Sequence, residues 1–252
     1  MLIFKRIFRF LFSIYAFISF LLVMFLIFPF VIIFSFFGKL RGGNIIYILC
    51  RFWADACLLL WGIKHQNIYE APHNKTYPSI FVFNHNSYMD IPEMLVAIRQ
   101  NFRALGKVEM SKIPVFGFIY KNAVVTVERG SAENRAKSVM ILKSVLKKNI
   151  SIALAPEGTF NMSAMPLKEF YDGAFKIAIE TQTPIKPIIF LDAVDRLHYK
   201  SIFSFNPGKL RTVFLEEVKT EGLVSSDIEM LKQKVYAIME SGLIRYKASW
   251  ID

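Results

Sequence analysis

One of the chain's four histidines, His85, stands at the end of an apolar run, and an acid, Asp90, follows five residues later in the stretch SIFVFNHNSYMDIP. An imidazole oriented by a carboxylate is the usual means of deprotonating a hydroxyl near neutral pH. Across a turn that leads into a helix the two side chains can meet, which makes them a candidate general-base pair. The same residues support a local alternative. Asp90 and Glu93 match the D-x-x-E capping box, and Pro92 suits a first helical turn. A cap and a catalytic pair do not exclude each other. Ser87 reads as a turn residue rather than a nucleophile, since no G-x-S-x-G elbow accompanies it. Cys50 and Cys57 lie in an apolar segment without histidines at ligand spacing. They read as reduced, packed thiols, and neither a metal site nor a disulfide is expected.

Such a pair needs a scaffold that holds it. Residues 79–83 read as a strand and 91–100 as a helix; 123–127 is a strand followed by a helix over 133–148. A strand at 150–155, a helix at 173–181 and strands at 185–191 and 211–218 complete the alternation. Ser226 or Asp227 can cap a last helix that runs to Arg245. This pattern predicts an α/β fold, a mixed but largely parallel sheet flanked by helices. In open α/β sheets ligands bind beyond the carboxyl ends of the strands. The polar stretches NHNSYMD, ERG and PEGT each follow one of these strands, so they are expected to converge.

Composition adds a membrane. Hydrophobic residues make up 54% of the 252 residues, Phe alone numbers 25, and no charge interrupts residues 10–38. That run exceeds the roughly 20 residues a membrane helix needs. Lys5, Arg6 and Arg9 precede it and Lys39, Arg41 and Arg51 follow it. Positive charge stays on the cytoplasmic side, so both ends prefer that side. A kinked or interfacial anchor, bent at Pro29, is therefore favoured over a single span. Arg51 and Asp55 are placed to pair at i,i+4 on a second apolar helix. The expected division is an anchoring helical hairpin over residues 1–65 and a catalytic domain over 66–252. The net charge of +11 is scattered, with no compact arginine-rich motif, which points to anionic headgroups or an anionic substrate and away from nucleic acid.

The motifs together resemble one family. NHNSYMD resembles the N-H-x-x-x-x-D signature of the glycerolipid acyltransferases, the PlsC-type lysophosphatidic acid acyltransferase family. GKVEMSKIPVFGF resembles the family's K-x-E-L…P-x-x-G segment at Lys107, Glu109, Pro114 and Gly117. VVTVERG resembles its second motif, which ends in Asp/Glu-Arg and gives Arg129. APEGTF resembles P-E-G-T-R at Glu157, Gly158 and Thr159, and TPIKPIIF resembles P-I-x-P at Pro184 and Pro187. The likeness spans residues 79–190 in order, and an N-terminal helical anchor is familiar there.

The resemblance implies acyl transfer from acyl-CoA or acyl-carrier protein to the hydroxyl of 1-acylglycerol-3-phosphate at a membrane, without a cofactor. His85 would be the base and Asp90 its orienting acid. Arg129 would contact the acceptor's phosphate; its structural alternative is a surface arginine at a strand end. Glu157, Gly158 and Thr159 would shape the acceptor site, and Lys107 would add positive field near the donor. The resemblance further implies the inner membrane, with the catalytic domain facing the cytoplasm.

Two positions depart from the pattern. Phe160 stands where the family has arginine after P-E-G-T, and Phe170, Tyr171, Asp172 and Gly173 replace F-K-x-G. Each lost charge-assisted contact would weaken a phosphate by roughly 1.5–3 kcal/mol. Either Arg129, Lys168 or Lys176 supplies the charge, or the acceptor is a lyso-aminolipid or another lysolipid without a phosphomonoester. A catalytically inactive membrane-binding module is the reading from another class, and the intact His85–Asp90 pair argues against it.

Overall fold

In a computed structural model, residues 2–128 and 130–251 are described. Two long helices, α1 (Leu2–Ser35) and α2 (Gly43–Leu60), lead into β1 (Ile63–Tyr69), β2 (Ile80–Phe83), α3 (Asp90–Ala97) and β3 (Phe102–Lys107). Then come α4 (Phe116–Ala123), β4 (Val124–Val127), α5 (Ala132–Leu146) and β5 (Ser151–Leu154). The chain ends with α6 (Gly173–Thr181), β6 (Ile185–Phe190), α7 (Ala193–Arg196), β7 (Gly208–Phe214) and α8 (Ile228–Arg245).

The strands form one seven-stranded sheet in the order β1-β7-β6-β2-β5-β3-β4. Strands β2 to β6 run parallel, β7 runs antiparallel to β6, and β1 runs parallel to β7. Alternation along a strand sends side chains to opposite faces. On β2, Phe81 and Phe83 therefore join a core with α1, α2, α3 and α4, whereas Ile80 and Val82 join a second core with α5, α6 and α8. Both faces being covered, this central strand is apolar throughout.

Several expectations change here. β1 and β3 are strands that the apolar pattern does not show, because Lys64, His65, Gln66, Asn67 and Arg103 interrupt it. The last strand lies at Gly208–Phe214 rather than 211–218; Val218 makes only an isolated bridge to Ile185. Helix α1 continues through Pro29, and the chain reverses afterwards, at residues 36–42. Arg51 and Asp55 do not pair with each other. Arg99 takes both oxygens of Asp55 at 2.8 and 2.9 Å, and Arg51 donates to the Arg99 carbonyl at 2.7 Å.

Two helical segments, Arg6–Ser35 and Gly38–Leu60, are long and apolar enough to cross a membrane, with mean hydropathy 3.0 and 1.4. They also pack against each other and the sheet. The indole of Trp61 donates to the Ala16 carbonyl and to Ser19 Oγ, and that of Trp53 to the Phe20 carbonyl. Arg103, buried at the start of β3, donates to Asn44 Oδ1 at 2.7 Å and to the Phe102 and Lys39 carbonyls. Away from these contacts α1 exposes Phe17, Leu22, Leu26 and Ile33.

Candidate active site

Parallel β2, β3, β4 and β5 bring their carboxyl ends to one edge of the sheet. β2 stops at Phe83 because Asn84 pins the chain there. Its amide donates to the Phe190 carbonyl at 3.0 Å and accepts from the Phe190 N–H at 2.8 Å, continuing the ladder with a side chain. The next residue is His85.

His85 Nδ1 meets Asp90 Oδ2 at 2.7 Å. The same oxygen accepts from the backbone N–H groups of Asn86 at 2.9 Å and Ser87 at 3.0 Å. Asp90 is 1% exposed while the His85 side chain is 25% exposed. A buried carboxylate thus holds a ring that substrate can reach. With Nδ1–H committed to Asp90, Nε2 is the basic nitrogen, and among the described residues no hydrogen bond occupies it.

The capping box expected of Asp90 and Glu93 does not form. Met89 is the N-cap residue of α3, without a side-chain cap bond, and Asp90 spends its carboxylate on the preceding turn. Glu93 is buried and accepts from Thr212 Oγ1 at 2.7 Å; burial holds its carboxyl well above the ordinary range. Ser87 is a turn residue: its hydroxyl donates to the Leu197 carbonyl and accepts from the Met89 N–H.

The PEGT stretch follows β5, the neighbour of β2, and the two loops are bonded together. Glu157 Oε1 accepts from the His85 N–H at 2.8 Å, and Oε2 from the Lys168 N–H at 2.9 Å. The Asn161 N–H donates back to the His85 carbonyl at 2.6 Å. Burial pushes the Glu157 carboxyl up to about 7, against the two backbone donors and His85, which pull it down. Gly158 sits at φ +71°, where a side chain is strained. Thr159 is exposed, and its Oγ1 accepts from Lys168 Nζ at 2.6 Å. Phe160 lays its ring against His85 at a centroid distance of 4.4 Å and against Tyr88 at 4.9 Å.

Lys107 ends β3 on the same sheet edge, exposed. Arg129 lies outside the described residues. The structure thus brings His85, Asp90, Glu157, Gly158 and Thr159 together and adds Lys168, Phe160 and Asn161. Lys168 was open to sequence reasoning only as one of several cations able to replace a missing charge. Nothing local marks Asn161 or the Phe160–His85 contact.

A model of the acyltransferase family matches residues 62–191. The chain is 29% identical over 182 residues to 1-acyl-sn-glycerol-3-phosphate acyltransferase alpha of Mus musculus, a match covering 70% of this chain and 62% of that protein. It is 26% identical over 167 residues to 1-acyl-sn-glycerol-3-phosphate acyltransferase beta of Homo sapiens, covering 65% of this chain and 59% of the relative. The chain therefore spans less than two thirds of either relative's length. Among solved structures, the 1-acyl-sn-glycerophosphate acyltransferase PlsC from Thermotoga maritima superposes with a TM-score of 0.74 at 21% identity, covering 97% of this chain and 100% of that one. At that identity the likeness speaks for the fold.

Proposed function

The chain belongs to the acyltransferase family, and on that premise we propose that it transfers a fatty acyl group from a thioester to the free hydroxyl of 1-acylglycerol-3-phosphate, forming phosphatidic acid. The relatives' names support this acceptor. The observation that carries the mechanism is the 2.7 Å contact between His85 Nδ1 and buried Asp90.

His85 Nε2 takes the acceptor's hydroxyl proton while the oxygen attacks the thioester carbonyl. Asp90 stabilises the imidazolium that forms and keeps the ring oriented. Collapse of the tetrahedral intermediate breaks the C–S bond, and the thiolate leaves with the proton from His85. Transfer is direct: Ser87 is committed to the Leu197 carbonyl, and both cysteines belong to α2. Glu157 fixes the His85 backbone. Arg129 contacts the acceptor's phosphate, and Lys107 adds positive field near the donor. Acyl-CoA or acyl-carrier protein supplies the chain. The apolar hairpin of α1 and α2 holds the sheet at the cytoplasmic face of the inner membrane.

The test is acyl transfer by detergent-solubilised protein and its His85→Ala variant, with 1-acylglycerol-3-phosphate and a lyso-aminolipid offered in parallel. Loss of a general base is expected to cost roughly 10²–10⁴-fold in rate. Equal rates for the two proteins would remove the His85 mechanism. Transfer to the lyso-aminolipid alone would keep the mechanism and change the acceptor.

A further inference from the structure

The acceptor proposed above carries a phosphate monoester on the carbon beside its free hydroxyl, so a cation has to stand close to His85. The residue that follows Thr159 does not supply one: Phe160 is aromatic and packs on the His85 ring at 4.4 Å. We propose that Lys168, together with the Thr159 hydroxyl, makes a further contact to the acceptor's phosphate monoester, in addition to the one assigned to Arg129, an inference that rests on the acyl-transfer reading.

Lys168 is positioned by the carboxylate that positions the base. Glu157 accepts from the His85 N–H with one oxygen, at 2.8 Å, and from the Lys168 N–H with the other, at 2.9 Å. The two residues are far apart in sequence yet share one buried anchor. The Lys168 side chain then turns back, and Nζ donates to Thr159 Oγ1 at 2.6 Å. That bond uses one of three ammonium hydrogens. Because Oγ1 accepts, the hydroxyl hydrogen of Thr159 also stays available. Thr159 is exposed and Lys168 half-buried, so these donors face a reachable space. A phosphate dianion takes such donors as charge-assisted bonds.

Three acids are nearby, and Glu169, next to Lys168, is exposed to solvent that screens it. Both Glu157 oxygens are turned to backbone N–H groups, and Asp172 is paired with Lys232 Nζ at 3.0 Å.

A phosphate could also come from the donor, since coenzyme A is itself a phosphate ester. Kinetics of Lys168→Ala and Lys168→Arg, with 1-acylglycerol-3-phosphate and acyl-CoA varied separately, distinguish the two sources. Lys168→Ala is expected to raise KM for 1-acylglycerol-3-phosphate roughly 10- to 100-fold, the effect of one lost charged hydrogen bond. KM for acyl-CoA stays unmoved, and Lys168→Arg restores most of the loss. Preference for 1-acylglycerol-3-phosphate over monoacylglycerol falls in parallel. Lys168→Met, with the same melting temperature as the parent, guards against misfolding. An unchanged KM for 1-acylglycerol-3-phosphate overturns the site and leaves the acyl-transfer reading standing. A rise confined to acyl-CoA assigns the cation to the donor and also overturns it. A parent protein that does not acylate 1-acylglycerol-3-phosphate removes the reading itself.

Discussion

Glu157 holds two backbone N–H groups, yet burial pushes its carboxyl from 4.5 up to about 7. The folded protein therefore binds this proton more tightly than the unfolded chain does. Its contribution to stability is full below pH 4.5 and is lost as pH rises through about 7. Glu157→Gln cannot titrate, so its denaturation midpoint is expected to fall less over that window than the parent's. The variant starts lower, by about 1–3 kcal/mol, because its amide turns an NH₂ toward one of the two donors. Chemical denaturation between pH 4 and pH 8 checks both effects; parallel slopes for the two proteins would assign the titration elsewhere. His85, Asp90 and Glu157 were legible in the sequence because each sits in a short motif beside a strand end. The role of Glu93 was not: its partner Thr212 lies 119 residues away, and proximity to Asp90 in sequence suggested a cap instead. The Lys168–Thr159 contact was hidden likewise, since it depends on how an irregular loop folds back.

At the scale of elements, apolar density decided what could be read. The segment IFVF of β2 and α6 were plain, because both are buried on a consistent pattern. β1 and β3 were missed because polar residues break their runs, and their strand character comes from pairing with β7, β4 and β5. α2 shows the same limit: Arg51 and Asp55 have helix spacing, but Arg99 at the end of the α3 segment outcompetes that pair. The Arg99–Asp55 pair is nearly half exposed on both sides, at 43% and 45%. Exposed pairs contribute about 0–1 kcal/mol. Arg103 differs, being 5% exposed with donors on Asn44 and the Phe102 and Lys39 carbonyls. Arg103→Met is therefore expected to cost roughly 1–3 kcal/mol and to speed proteolysis at residues 36–42, where the hairpin turns. Arg99→Ala is expected to change the melting temperature little. A larger loss for Arg99→Ala than for Arg103→Met would reverse this order.

For the whole molecule, the apolar helices serve two solvents at once. One face of α1 and most of α2 complete the core beneath the sheet, through Ala16, Met24, Ile27, Ile46, Trp53 and Trp61. The opposite face of α1 is apolar and uncovered, with Phe17, Leu22, Phe25 and Leu26 at 54–65% exposure. A boundary at residues 65 and 66 would also fall inside β1. Anchoring and catalytic parts thus share one core, and removing residues 1–65 is expected to give aggregated protein rather than a soluble acyltransferase. The uncovered face makes a second, separable demand. The net charge of +11 attracts anionic headgroups, an attraction screened at about 1 M salt, where the Debye length is roughly 3 Å. Apolar insertion is not screened. Full-length protein is therefore expected to float with phosphatidylcholine vesicles at high salt, and added anionic lipid to increase binding only at low salt. Release of the protein by salt alone would mean that charge, not the Phe-rich face of α1, holds it to the bilayer. A soluble, active fragment over residues 66–252 would mean that the core is not shared.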